Sequence, residues 1–298
     1  MVTASNPQLS DYMQSVRVEV ESELAEITRF HSDCPNILEQ AIRYTLLAPG
    51  KRLRPILVFM ASEACGQRTS ATLDCACAVE MIHTYSLIHD DLPAMDDDAM
   101  RRGQPACHIQ FGEANAILAG DALLAYAFQV VSSSDSSSEV CAACCRELAI
   151  AAGPCHLVGG QVDDLAAEHQ DGDLSQLQHI HQRKTGSLFR VSLKLGGLAA
   201  GADSEQIDHL DTYGKYLGLA FQIVDDLLDC NGDQQWLGKQ IGKDTEHGKL
   251  TYPRLRGMEA SRNDAQELIH QAIEELNSFG GAAESLRQLA SYVLERNN

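Results

Sequence analysis

Small and apolar residues recur at spacings of three and four through nearly the whole chain, and no run of alternating β-branched residues rises above that pattern. The period predicts helices over Ile37 to Leu47, Ala71 to Asp91, Asp203 to Asp229, Asp264 to Phe279 and Ala282 to Arg296. Between the periodic segments stand Pro49-Gly50, Gly66, Gly103 with Pro105, Gly153-Pro154, Gly172, Gly201 and Gly280-Gly281, which stop helices at ordinary lengths. The serine-rich run Ser132 to Ser138 reads as a solvated loop rather than a linker. With no repeat of fixed period and no domain boundary, residues 1–298 read as one all-α domain, a single large helical bundle.

Composition narrows the functions open to such a bundle. Lys and Arg number 23 against 42 Asp and Glu, and a formal charge of −19 argues against nucleic acid, which needs a basic footprint. Partners are expected to be cationic or bound through cations. No charged and apolar leader precedes Arg17, so a cytoplasmic address is expected. The stretch Asn115 to Val131 is short and interrupted by Gly120 and Asp121, so it reads as a buried helix rather than a membrane span. The ten cysteines read as reduced thiols. Cys141 and Cys144 have a C-x-x-C spacing, but no second pair completes a zinc site.

Candidate chemistry lies in two acidic clusters, Asp90, Asp91 and Asp96 in HDDLPAMDDD and Asp225, Asp226 and Asp229 in QIVDDLLD. A charged helix face is usually just solvated, yet Met81, Ile82, Leu87 and Ile88 before the first cluster and Leu219 to Val224 around the second are core-like on most faces. Carboxylates at such places must be paired or must hold a metal. Asp225 and Asp229, four apart, share one helix face. Asp90 and Asp96, six apart, do not, and Pro93 is expected to end the helix so that the loop brings Asp96 round. Six oxygen-donor carboxylates suit Mg²⁺, with Mn²⁺ as the alternative, and magnesium is readily completed by substrate phosphates.

Cations cluster as well: Lys51, Arg52 and Arg54 after Pro49-Gly50, Arg101 and Arg102 after the first acidic run, Lys184 beside Thr185 in a break expected to end at Gly186, and Lys239, Lys243 and Lys249 near the C-terminal side. Arginines pair phosphate in a planar fork and lysines act as point charges.

As written, these motifs resemble the trans-isoprenyl diphosphate synthase family, and within it the bacterial farnesyl diphosphate synthase branch. The likeness rests on GKRLRP at residues 50–55, EMIHTYSLIHDDLPAMDDDAMRRG at 80–103, GEANAILAGDALL at 112–124, GGQVDDL at 159–165, KTGSL at 184–188, FQIVDDLLD at 221–229 and GKDTEHGKLTYP at 242–253. The resemblance implies an all-α prenyl-synthase bundle around a central cavity, a homodimer, and three Mg²⁺ held by the six aspartates on the diphosphate of an allylic substrate. It implies that Arg101, Lys184, Lys239 and Lys249 contact that diphosphate, and that Lys51, Arg54, His83 and Arg102 hold isopentenyl diphosphate. Thr185 and Gln222 match the residues whose oxygens face the allylic cation. Asp163 departs from the family pattern, in which an apolar residue is commoner, and Gln161 and Asp164 carry no assigned role.

Chain length is expected to be set by Tyr85, five residues and so about 7.5 Å before Asp90 along a helix. Spacing alone places Tyr85 some 140° round from Asp90, and the resemblance supplies the direction, because a bulky aromatic here is typical of farnesyl-producing relatives. Ser86, on the Asp90 stripe, is too small to block a cavity itself. Farnesyl diphosphate is the expected product and geranylgeranyl diphosphate the alternative. Two other classes compete: an HD-type metal phosphohydrolase using His83, His89 and Asp90, which leaves the second cluster without work, and a catalytically silent synthase subunit, which should have lost a cluster.

Overall fold

The computed structural model describes residues 7–168, 170–231 and 250–295, and in it the periodic segments form helices. In order these are α1 (Pro7–Ile27), α2 (Asn36–Leu46), α3 (Leu53–Cys65), α4 (Ser70–Asp90), α5 (Cys107–Phe111), α6 (Glu113–Ser132), α7 (Ser138–Ala152), α8 (Leu157–Ala167), α9 (Leu174–His181), α10 (Ser187–Ala199), α11 (Ser204–Asn231), α12 (Tyr252–Arg256), α13 (Met258–Glu275) and α14 (Glu284–Glu295). One core cluster of buried side chains runs from Leu9 to Val293.

Burial separates central helices from outer ones. Residues 55–62 of α3 and 75–82 of α4 are buried without interruption, so these helices are apolar on every face, as central elements must be. Helix α10 packs against both and against α11, and α11 packs on α13. Helix α6 lies along α4. Its Ala116, Ala119, Gly120, Leu123, Ala127 and Val131 are buried at three- and four-residue steps, while Ile117 and Leu118 are 43% and 55% exposed. The buried helix expected from Asn115 to Val131 is thus buried on one face only.

Three local features depart from the pattern-based reading. A two-residue antiparallel ribbon, β1 (Met100–Arg101) with β2 (Gln104–Pro105), follows the first acidic loop, and Arg102 at its turn has φ 53°. The KTG segment is no break. Gln182–Gly186 form one wide π-type turn, and Gly186 and Ser187 keep right-handed helical geometry into α10. Near the C-terminus α13 begins at Met258, just after the positive-φ Gly257, and α14 begins only at Glu284, after a tight 3₁₀ stretch over Asn277–Ala283.

Candidate active site

Helix α4 ends at Asp90, and the chain folds back over Pro93 as its ring demands. The Asp96 N–H donates to the Asp90 carbonyl at 2.8 Å and the Asp98 N–H to the Asp91 carbonyl at 3.2 Å, so Asp96 returns to the helix end. Asp90 and Asp91 then face different partners. Asp91 is buried and accepts from Arg101 Nε at 2.9 Å, in a fork closed by Arg101 Nη2, which also reaches Asp98 at 3.0 Å. The Asp90 carboxyl is pushed up to about 6, chiefly by burial, with Asp96 and Asp91 adding to the rise and Lys184 and Arg101 opposing it. A buried carboxylate held short of positive charge gains from a bound cation.

Lys184 reaches this helix end from the wide turn. Burial alone would lower its pKa, but Asp164, then Asp90 and Asp96, hold it above the usual lysine range. Its Nζ donates to Asp164 Oδ2 at 2.7 Å, and the neighbouring Arg183 pairs with Asp163. These contacts answer what the GGQVDDL carboxylates do: each is tied to a cation of the turn. Helix α8 can come so close because Gly160 has no side chain, and a Cβ there would sit 2.4 Å from the Lys184 backbone nitrogen. π-type turns inside helices recur at functional sites, where they turn side chains out of the regular register.

The second cluster approaches the same turn from α11. A Cβ on Gly218 would sit 3.0 Å from the Gly186 Cα; Gln222 lies one turn further along that face of α11, and Thr185 directly precedes Gly186 in the turn. Both are half-buried. Asp226 is buried, accepts the Tyr252 N–H at 2.8 Å, and lies 3.5 Å from His181 Nε2. Asp225 and Asp229 are half-buried beside it. Burial lowers the Arg54 pKa to about 10 against the pull of Glu80, with Arg102 nearby lowering it and Asp225 raising it. Arg54 thus stands between the second cluster and the other arginines, with its guanidinium carbon 5.6 Å from the Phe189 ring centre.

His83 is held neutral, first by burial and then by Arg54, Arg102, Arg101 and Arg52, which places it inside the arginine group. Lys51 is exposed. Tyr85 is 5% exposed and stands edge-on to His89 at 5.8 Å between ring centres. Ser86 donates to the His83 carbonyl at 2.9 Å. Lys239 and Lys249 lie outside the described residues. Among the described residues, no three His, Cys, Asp or Glu side chains already converge as a finished metal cage. The all-oxygen set at the end of α4, on the loop after it and on α11 nevertheless fits magnesium, which takes one or two carboxylates and leaves the rest of its shell to water and phosphate.

Sequence reasoning missed the supports. The pairs Arg101 with Asp91, Lys184 with Asp164, and Tyr252 N–H with Asp226 each join two different elements, at spacings no helical period matches. One signal was available: Glu80 is a lone carboxylate in the apolar run of α4, and such a group needs a buried partner.

Comparison with known proteins places this geometry. Residues 35–290 match the family model described as polyprenyl synthetase. The chain is 44% identical to the farnesyl diphosphate synthase of Escherichia coli, over 96% of this chain and 99% of that one. It is 46% identical to a chloroplast geranylgeranyl pyrophosphate synthase of Arabidopsis thaliana, over 89% and 76% of the two chains. Among solved structures it resembles an FPP/GFPP synthase of Zymomonas mobilis with a TM-score of 0.87 at 38% identity, covering 96% of this chain and 99% of that one. A geranyltransferase of Legionella pneumophila gives 0.86 at 32% identity and 98% coverage of each chain. With its family match spanning most of the chain, its all-α architecture and both aspartate clusters flanking one wide turn, this protein belongs to the polyprenyl synthetase family and is a prenyltransferase.

Proposed function

We propose that this short-chain trans-prenyltransferase condenses isopentenyl diphosphate with dimethylallyl and geranyl diphosphate and releases farnesyl diphosphate. The observation that carries the reading is the position of Lys184, within electrostatic reach of Asp90 and Asp96 and borne on the turn against which α11 packs. Asp90 and Asp96 on one side, and Asp225 and Asp229 on the other, would hold up to three Mg²⁺, with Asp91 and Asp226 as supports tied to Arg101 and Tyr252. When bound, divalent cations neutralise charge on a departing diphosphate.

The chain's own groups then divide the work. Lys184 holds the allylic diphosphate, with Arg101 and, outside the described residues, Lys239 and Lys249 in the same role. Lys51, Arg54, Arg102 and neutral His83 hold isopentenyl diphosphate. The allylic C–O bond breaks, the double bond of isopentenyl diphosphate forms the new C–C bond at that carbon, and a proton leaves for the released diphosphate. Oxygens of Thr185 and Gln222 face the developing cation and stabilise it by preorganised dipoles.

Farnesyl rather than geranylgeranyl diphosphate is favoured by the buried Tyr85 on α4. A homodimer is favoured by exposed Ile109, Ile117, Leu118, Ile150, Val158 and Val162, all carried by the consecutive helices α5 to α8. A cytoplasmic address fits ten free thiols. Purified protein given Mg²⁺, isopentenyl diphosphate and dimethylallyl, geranyl or farnesyl diphosphate should yield fifteen carbons from the first two primers and little from the third. Twenty-carbon product as the main species would reassign it to the geranylgeranyl type.

A further inference from the structure

Of the five cations beside Pro49-Gly50 and on the ribbon, Lys51, Arg52, Arg54, Arg101 and Arg102, four are arginines, yet they are not used alike. Arg52 has a fully buried side chain, and its donors all point into the protein. Nη1 donates to Glu80 Oε1 at 2.6 Å, Nε to Glu21 Oε1 at 3.3 Å, and Nη2 to the carbonyls of Leu46 and Ala48 at 2.9 and 2.8 Å. The carbonyls belong to the end of α2 and the loop after it, so Arg52 stitches that loop to α4. Its backbone is left-handed, φ 49° and ψ 37°, a conformation residues with a Cβ avoid unless the surroundings enforce it. The reversal sends Arg52 inward while Lys51 before it stays exposed.

Glu80 is the other half of this unit. It is 1% exposed on α4, and besides Arg52 its Oε1 lies 3.5 Å from Arg102 Nη2. Arg102 comes from the ribbon turn, again with positive φ, and lies over Gly50, where a Cβ would meet its guanidinium carbon at 3.2 Å. One buried carboxylate thus gathers an arginine from each of two separate loops. Those two loops carry Lys51 and Arg102, and Arg54 is the second residue of α3, two after Arg52. The charge of Glu80 also opposes the loss of charge on Arg54 and Arg102 that burial favours.

We propose that Glu80 and Arg52 are positioning residues: a buried clamp that fixes the spacing of Lys51, Arg54 and Arg102 and so preforms the pocket for the diphosphate of the non-allylic substrate. The inference rests on the reading that those three cations hold isopentenyl diphosphate. Neither clamp residue touches the ligand. Arg52 commits four of its five N–H donors to Glu21, Glu80 and the two carbonyls from a fully buried side chain, and the Glu80 carboxylate would repel a diphosphate.

The test separates the clamp from the site it serves. Glu80→Gln keeps size and one acceptor but removes the charge, and Arg52→Lys keeps the charge but removes the fork. Each should raise KM for isopentenyl diphosphate about tenfold, leave KM for geranyl diphosphate within twofold, and weaken isopentenyl diphosphate binding in calorimetry without added metal by the same factor. A tenfold change corresponds to about 1.4 kcal/mol. Lys51→Ala with Arg102→Ala reports on the pocket itself. If that pair raises the isopentenyl KM while Glu80→Gln and Arg52→Lys leave it unchanged, the clamp is overturned and the pocket stands. If the pair leaves it unchanged as well, the assignment of the pocket fails. Variants that lose folded protein and turnover in proportion, with both KM values unaltered, mark Glu80 as scaffold only and overturn the proposal. Circular dichroism of each variant measures that folded fraction.

Discussion

At the scale of the residue, two side chains carry the sharpest expectations. Tyr85 is buried, and its hydroxyl is pushed up to about 12, first by burial and then by the Asp90 carboxylate. Tyr85→Ala should open room for a further five-carbon unit and move the main product from fifteen toward twenty carbons, read by chromatography of the dephosphorylated alcohols. The emptied volume should lower stability by about 3 kcal/mol. Unchanged product length at normal turnover would place the floor elsewhere. Lys184→Ala should raise KM for the allylic substrate by tenfold or more and change that for isopentenyl diphosphate little. It should also leave Asp164 without its ion-pair partner. Equal effects on both substrates would make Lys184 a general support. The aspartates were legible at this scale because carboxylates amid core residues are costly. Their division of labour was not, since Arg101 meets Asp91 only after the Pro93 fold-back and the ribbon have formed.

Elements explain why the site is rigid. The wide turn at Gln182–Gly186 is clasped between α8 at Gly160 and α11 at Gly218, with backbone approaches that leave no room for a methyl group at Gly160. Gly160→Ala gains about 1 kcal/mol of helix propensity, but overpacking against backbone costs about 1–3 kcal/mol, so net destabilisation is expected. Because the displaced atoms belong to Lys184, allylic KM should rise along with the fall in thermal midpoint. A stabilised Gly160→Ala enzyme with unaltered KM would contradict the clasp. Helix positions were readable from period and stops, and α4 ends within a residue of the expected place. The continuous turn was not readable: Gly186 looks like a helix stop, yet here it keeps right-handed geometry and serves close packing with α11. For α6 a largely apolar run interrupted by Gly120 and Asp121 cannot distinguish a helix surrounded by its own chain from one covered by a partner.

The whole molecule is a helical bundle in which six of the nine exposed large apolar side chains among the described residues lie on the consecutive helices α5 to α8, the face through which a homodimer is proposed, and the opposite reading of such a patch is poor solubility. A homodimer through that face predicts that Leu118→Glu, at a position 55% exposed in the single chain, shifts sedimentation toward the monomer while the helical spectrum is kept. A dimer unaffected by this change would need another interface. The proposed function requires the two aspartate clusters together to drive metal-dependent condensation rather than simple phosphate cleavage. Its most direct test is the yield of elongated prenyl product per diphosphate released from geranyl and isopentenyl diphosphates, measured with Mg²⁺, with excess chelator, and in Asp90→Asn and Asp225→Asn. One fifteen-carbon product per diphosphate, falling by orders of magnitude with chelator and in both variants while the helical spectrum persists, is the predicted result. Full turnover in excess chelator, or diphosphate released without a longer product, would contradict it.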